Sequence, residues 1–215
     1  MIQPFYFKTR FHLVKLLRTK AKNPAELLEG IKVVPGSSVY YHTHRFLRQH
    51  HYLSPEPPND FAFWLTNILN LRELGELFAG IDTVSYRNME NLRAAFIRIL
   101  EGYVARHGSN VECAEAYKFH FMSCITFVLP TPYVANNPEE FVEILHKVSI
   151  DSLYFHIFEA KMRLERDEND FSAWFKGMEK EKTAREIASI DPYTITLEGL
   201  RKKIIHIVRK NAEDQ

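Results

Sequence analysis

FHLVKLLRTK, residues 11–20, decides the fold class of this chain. Taken alone it reads as helix: apolar Phe11, Val14 and Leu17 recur at helical spacing, and long straight side chains favour the state. The chain, however, contains the segment twice. Sliding residues 5–52 against 119–166 aligns Phe5, Phe7, Val14, Ala21, Asn23, Pro24, Glu26, Glu29, Val34, Ser38, Tyr40 and His42 with identical residues, 12 in 48 positions without a gap. The counterpart of residues 11–20 is ITFVLPTPYV (125–134), whose Pro130 and Pro132 no helix interior accommodates. Two copies of one shape must then both be extended or irregular here, with FYF and FHF as short β-like or coil starts.

The repeat continues beyond that segment. Allowing the second copy a loop four residues shorter, NDFAFW (59–64) meets NDFSAW (169–174), and MENLRAAFIRIL (89–100) meets LEGLRKKIIHIV (197–208). Each copy constrains the reading of the other. Asn23-Pro24 and Asn137-Pro138 are N-caps followed by Pro at the first helical position, where the missing N–H costs nothing. Ser38 and Ser152 precede runs with helical periodicity and are expected to open a second helix. Asn59 or Asp60, and Asn169 or Asp170, cap a third; residues 73–81 and 180–190 form a short fourth; about 87–107 and 196–210 form a fifth, the first of these ending at Gly108. The expectation is an all-α fold: a tandem duplication, 1–108 and 109–215, of two roughly five-helix copies. They would pack as one compact pseudo-twofold body with short extended segments at the start of each copy.

The string YYHTHRFLRQHHYLSPEPPNDFAFW (40–64), with FYFKT before it and SLYFHIFEA and NDFSAW in the second half, resembles a bacterial all-helical family, a domain of unknown function. The resemblance covers essentially the whole chain. It implies the helical fold, and no activity, cofactor or catalytic residue comes with it.

Composition narrows the function classes. With 46% hydrophobic and 13% aromatic residues the chain can bury a substantial core. The longest uncharged apolar stretch, 119–134, is interrupted by His120, Ser123, Pro130 and Pro132, and falls short of the ~20 residues a spanning helix needs. The start lacks the features of a secretory signal, so the expected location is cytoplasmic. Cys113 and Cys124 form neither a C-x-x-C nor a disulfide framework. The formal charge of +1 is unevenly placed: residues 1–50 carry nine Lys/Arg against two Glu, leaving +7 there and −6 on the remainder. Phosphate-cradling glycine motifs and H-E-x-x-H are missing from the sequence.

Four of ten histidines fall within residues 42–51. His42 and His156 are equivalents, each followed by an Asn-Asp-Phe cap, so a structural role is expected. In that reading the imidazole bonds the cap carboxylate of Asp60 or Asp170, and Trp64 and Trp174 anchor the core. His44, His50 and His51 are particular to the first copy; their counterparts are Phe158, Leu164 and Glu165. None of the four supplies the i, i+3 or i, i+4 pairing that a helix-borne metal site needs, so no metal or other cofactor is expected. Arg45 and Arg48 lie beside them, and guanidinium groups suit a phosphate or carboxylate.

The leading expectation is therefore a non-enzymatic binding or scaffolding protein. It would engage a protein partner or small anionic ligand through Tyr41, His44, Arg45, Arg48 and His51, beside the SPEPP loop (54–58). The alternative is an enzyme acting on a phosphorylated or carboxylated small molecule, with His44 or His51 as acid-base group and Arg45 as anion clamp. A homodimer is compatible with either; a nucleic-acid partner and a membrane are not expected.

Overall fold

The computed structural model describes residues 3–49, 59–83, 85–86, 88–108, 110–160, 168–191 and 195–213, with backbone alone for 45–49 and 213. Strand β1 (Phe5–Ala21) pairs with β2 (Phe119–Ala135) in a two-stranded antiparallel sheet. Helices follow each strand in the same order. After β1 come α1 (Pro24–Val33), α2 (Gly36–Gln49), α3 (Asp60–Phe63, continued by a π turn, Trp64–Ile68), α4 (Arg72–Ala79) and α5 (Met89–His107). After β2 come α6 (Pro138–Leu145), α7 (Ile150–Tyr154, continued by a π turn, Phe155–Glu159), α8 (Asp170–Gly177), α9 (Glu181–Ala188) and α10 (Leu197–Glu213).

The fold is thus α+β, and the all-α expectation is corrected. The extended starts are not short segments but strands of 17 residues each, running through FHLVKLLRTK and its proline-bearing counterpart. Helical periodicity in residues 11–20 gives way because the strands pair with each other, which satisfies the backbone without an i, i+4 ladder.

Helix starts follow local chemistry. Asn23 and Asn137 each accept the N–H of the third helical residue, Glu26 or Glu140, at 2.8 Å. Asn59 and Asn169 cap α3 and α8 in the same way, which leaves Asp60 and Asp170 inside the first turn. Ser38 and Ser152 do not open their helices: α2 begins at Gly36, α7 is capped by Ser149, and both serines are buried in the first turn. Gly108 closes α5 at φ 69°, a conformation that glycine adopts without strain.

The chain forms two compact units. In the described residues, one comprises 12–49 and those from 59 to 125, hereafter the N-unit; the other comprises 3–11 and those from 126 onward, the C-unit. Each strand therefore begins in the core of the other copy's helices. In the C-unit, Phe5 and Phe7 of β1 pack on Phe141 of α6 (ring centroids 5.9 and 5.5 Å) and on Phe171 of α8 (5.3 and 6.0 Å). In the N-unit, Phe119 and Phe121 of β2 pack on Phe61 of α3 (5.2 and 6.3 Å). All four rings are buried, and each contributes roughly 1.5–3 kcal/mol relative to exposure. Neither set of helices completes its core without the strand that the other copy supplies. Among the described residues no helix is long and apolar enough to cross a membrane.

Candidate functional site

The histidine region is built from the second helix of each copy, the cap of the third, and the incoming strand. In the N-unit His42 Nδ1 lies 2.8 Å from Asp60 Oδ2, and its Nε2 accepts the backbone N–H of Met122 at 2.9 Å. In the C-unit His156 Nδ1 lies 2.7 Å from Asp170 Oδ2, and its Nε2 accepts the N–H of Lys8 at 2.8 Å. Because Nε2 accepts, the ring proton sits on Nδ1 and is donated to the carboxylate. Burial holds His42 below the usual histidine range, against the opposing pull of the Asp60 carboxylate. Both nitrogens of both rings are committed, Nε2 to the incoming strand and Nδ1 to the carboxylate at the start of the next helix.

The tryptophans act on the same strands. Trp64 Nε1 donates to the carbonyl of Tyr117 at 2.8 Å, and Trp174 Nε1 to that of Gln3 at 2.9 Å. These are equivalent positions just ahead of β2 and β1. Trp64 rests against Phe119, and Trp174 against Phe5 and Phe141.

His44 is not at the surface. It is 1% exposed, stacks on Tyr40 at 5.4 Å with an interplanar angle of 8°, and pairs through Nδ1 with Thr43 Oγ1 at 2.8 Å. Its counterpart Phe158 packs on Tyr154 at 4.7 Å, so His44 fills an aromatic place in the core. His12 of β1 also packs on Tyr40, at 5.7 Å. Tyr41, partly exposed, packs edge-on against His42 at 5.0 Å. The side chains of Arg45 and Arg48, His50, His51 and the SPEPP loop lie outside the described residues. Among the described residues no group of three or more His, Cys, Asp or Glu is placed to hold a metal ion.

Two further devices escaped the sequence reading. Arg93 of α5 donates through one terminal nitrogen to the carbonyls of Ile31 and Val34 (2.5 and 2.7 Å), while Glu90 holds its outer side. Arg201 of α10 repeats this on Leu145 and Val148, with Glu198 in the role of Glu90. The signal was present in the shared Leu-Arg of MENLRAA and LEGLRKK. The second device belongs to the C-unit alone: buried Arg10 pairs with Glu159 in the π turn and lies 4.4 Å over the ring of Tyr154. The N-unit has Cys124 where the C-unit has Arg10, so the strand's sequence offered no paired hint.

The cations of β1 differ in kind from these buried groups. Lys8, Lys15, Arg18 and Lys20 are exposed, and neither strand contains an acidic residue.

A model of DUF5752, a family of unknown function, matches residues 2–209. The structure of OrfY from Thermoproteus tenax is similar to this one with a TM-score of 0.81 at 23% identity, over 98% of this chain and 96% of that one. That likeness is one of fold. No curated protein matches the chain.

Proposed function

The chain belongs to the DUF5752 family of unknown function, and on that premise we propose that it is a non-enzymatic binding protein whose exposed basic strand engages an acidic protein partner. The observation that carries this reading is the set of Lys15, Arg18 and Lys20, solvent-facing on a strand with no carboxylate of its own. The histidine–aspartate pairs speak for binding over catalysis, since one ring nitrogen of each already holds a strand and the other the helix-start carboxylate, leaving neither for a substrate proton. Exposed cations attract an acidic surface over about a Debye length and set its approach and register more than its final affinity.

The test is fluorescence anisotropy with fluorescein-labelled poly-glutamate at low ionic strength. The full chain binds it, binding weakens as salt rises, and K15E/R18E/K20E binds at least tenfold more weakly. A wild-type chain that leaves the probe free at low salt removes the reading. A single-stranded oligonucleotide that binds more tightly than the peptide replaces the acidic protein with nucleic acid.

A further inference from the structure

In an antiparallel pair the backbone groups of successive residues point alternately toward the partner strand and away from it. Two bonds show which residues point away. The N–H of Lys8 reaches His156, and the N–H of Met122 reaches His42. Even-numbered residues of both strands therefore form the outer edges of the ribbon. The carbonyl of Lys22, just past β1, obeys the same parity and accepts from Cys113 N–H at 2.9 Å.

The two outer edges are protected differently. On β2 two outward positions are Pro130 and Pro132, which have no N–H and block strand addition in that stretch. Their equivalents on β1 are Leu16 and Arg18, which keep theirs. Among the described residues no hydrogen bond from another element reaches the main chain of Val14, Leu16, Arg18 or Lys20. Leu16 is 58% exposed, and Arg18 and Lys20 stand beside it on the same face of the ribbon. Exposed Leu13 and Lys15 occupy the other face.

We propose that the outer edge of β1 from Val14 to Lys20 is a strand-addition site for an extended acidic peptide. The proposal rests on the acidic-partner reading above and adds to it a backbone-directed mode of capture. Main-chain bonds to the edge supply affinity, and alternate side chains supply selectivity. A second copy of β1 is disfavoured as the occupant, because it would set Lys15, Arg18 and Lys20 against their own kind. A strand carrying Glu or Asp opposite Arg18 and Lys20, which share one face, turns those cross-strand positions favourable. Beside the end of β1 lies an open groove of about 410 Å³ lined by Thr19, Lys20, Ala25, Glu26, Glu29 and Val33. Its two glutamates select an apolar side chain over an acidic one there, so the peptide alternates acidic and apolar residues.

The probe is a fluorescein-labelled seven-residue peptide of alternating Glu and Val, titrated with the full chain. Wild type binds it, and a Lys/Val peptide of the same length binds at least tenfold more weakly. L16P/R18P, which copies onto β1 the prolines that β2 carries at the equivalent positions, loses at least tenfold in affinity for the Glu/Val peptide. It still binds poly-glutamate, because its remaining cations persist. If that variant melts below wild type, a Glu/Val probe N-methylated at alternate residues, in either phase, tests the same edge on the wild-type chain, and one phase loses binding. Unchanged affinity in a well-folded L16P/R18P, or for both methylated probes, overturns edge addition while leaving the acidic-partner reading standing. Failure of both poly-glutamate and Glu/Val to bind removes both. Wild type that dimerises in a way abolished by L16P/R18P, with the peptide unbound, assigns the edge to a second copy and overturns the proposal.

Discussion

The Nε2 of His42 accepts the backbone N–H of Met122 at 2.9 Å, so a side chain of the first copy's second helix holds the second copy's strand. Protonation would place a hydrogen on Nε2 facing that N–H and end the bond. Among the described residues the Asp60 carboxylate bonds the ring, and Tyr41, Phe61, Phe119 and Phe121 pack against it; burial, which lowers the histidine, outweighs the opposing pull of the carboxylate. For a base depressed by folding, the unfolded chain takes up the proton first. The stability is fully present above the unfolded value of about 6.5 and is lost as pH falls from there toward the lower folded value. Urea midpoints should therefore drop between pH 7.5 and pH 5.5, and H42Q should flatten that dependence. A wild-type midpoint that rises on acidification over this interval contradicts the assignment.

Each unit contains one tryptophan, Trp174 in the C-unit and Trp64 in the N-unit, and this makes the strand exchange measurable. Phe7 lies early in the chain yet packs with Phe141 and Phe171. F7A should cost roughly 3–5 kcal/mol in the C-unit, and F121A a similar amount in the N-unit. In a W64F background, where Trp174 alone reports, F7A lowers the denaturation midpoint far more than F121A does. In W174F the order reverses. The same order in both backgrounds would mean that the strands do not complete the cores in which they are placed.

Arg93 and Arg201 close the C-terminal ends of α1 and α6 by binding two carbonyls apiece. Methionine in place of either keeps much of the bulk but leaves the carbonyls without their charged donor. Bonds to charged groups contribute about 1.5–3 kcal/mol each, and the freed carbonyls recover part of that from water, so R93M and R201M should each destabilise by about 2–4 kcal/mol. Equilibrium urea unfolding measures this. E90Q and E198Q touch only the exposed side of the same guanidinium groups and should cost under about 1 kcal/mol.

The duplication and the helix order were legible because caps are local: Asn23, Asn59, Asn137 and Asn169 sit within three residues of the N–H groups they satisfy. The strands were half legible. Pro130 and Pro132 excluded a helix for β2, but nothing local told a 17-residue strand from a short extended start. The exchange was hidden for a different reason. Phe5 and Phe119 are identical residues in equivalent positions, so the apolar pattern is the same whichever copy's helices receive them. At the histidine region the burial of His44 was foreshadowed by Phe158, since an apolar residue in one copy marks a core place in the other. Arg10 and Glu159 had no such guide, because the pair joins residues far apart in sequence and occurs once.

Two glycines should respond to the same substitution with opposite signs. Gly30 in α1 is buried, and a Cβ there would lie 2.4 Å from Cε2 and Cζ of Phe121, a ring with no exposed surface. Alanine normally gains up to about 1 kcal/mol over glycine within a helix, but forcing a packed ring aside costs about 1–3 kcal/mol, so G30A should be destabilising on balance. Gly102 in α5 has nothing within 4 Å of its prospective Cβ, and G102A should stabilise by about 0.5–1 kcal/mol. Combining G30A with F121L supplies the decisive comparison. If the ring is the obstacle, the double variant loses less than the two single losses together, and thermal or urea melts will show the coupling. Strict additivity would place the cost of G30A in the α1 backbone and not in its contact with the second copy's strand.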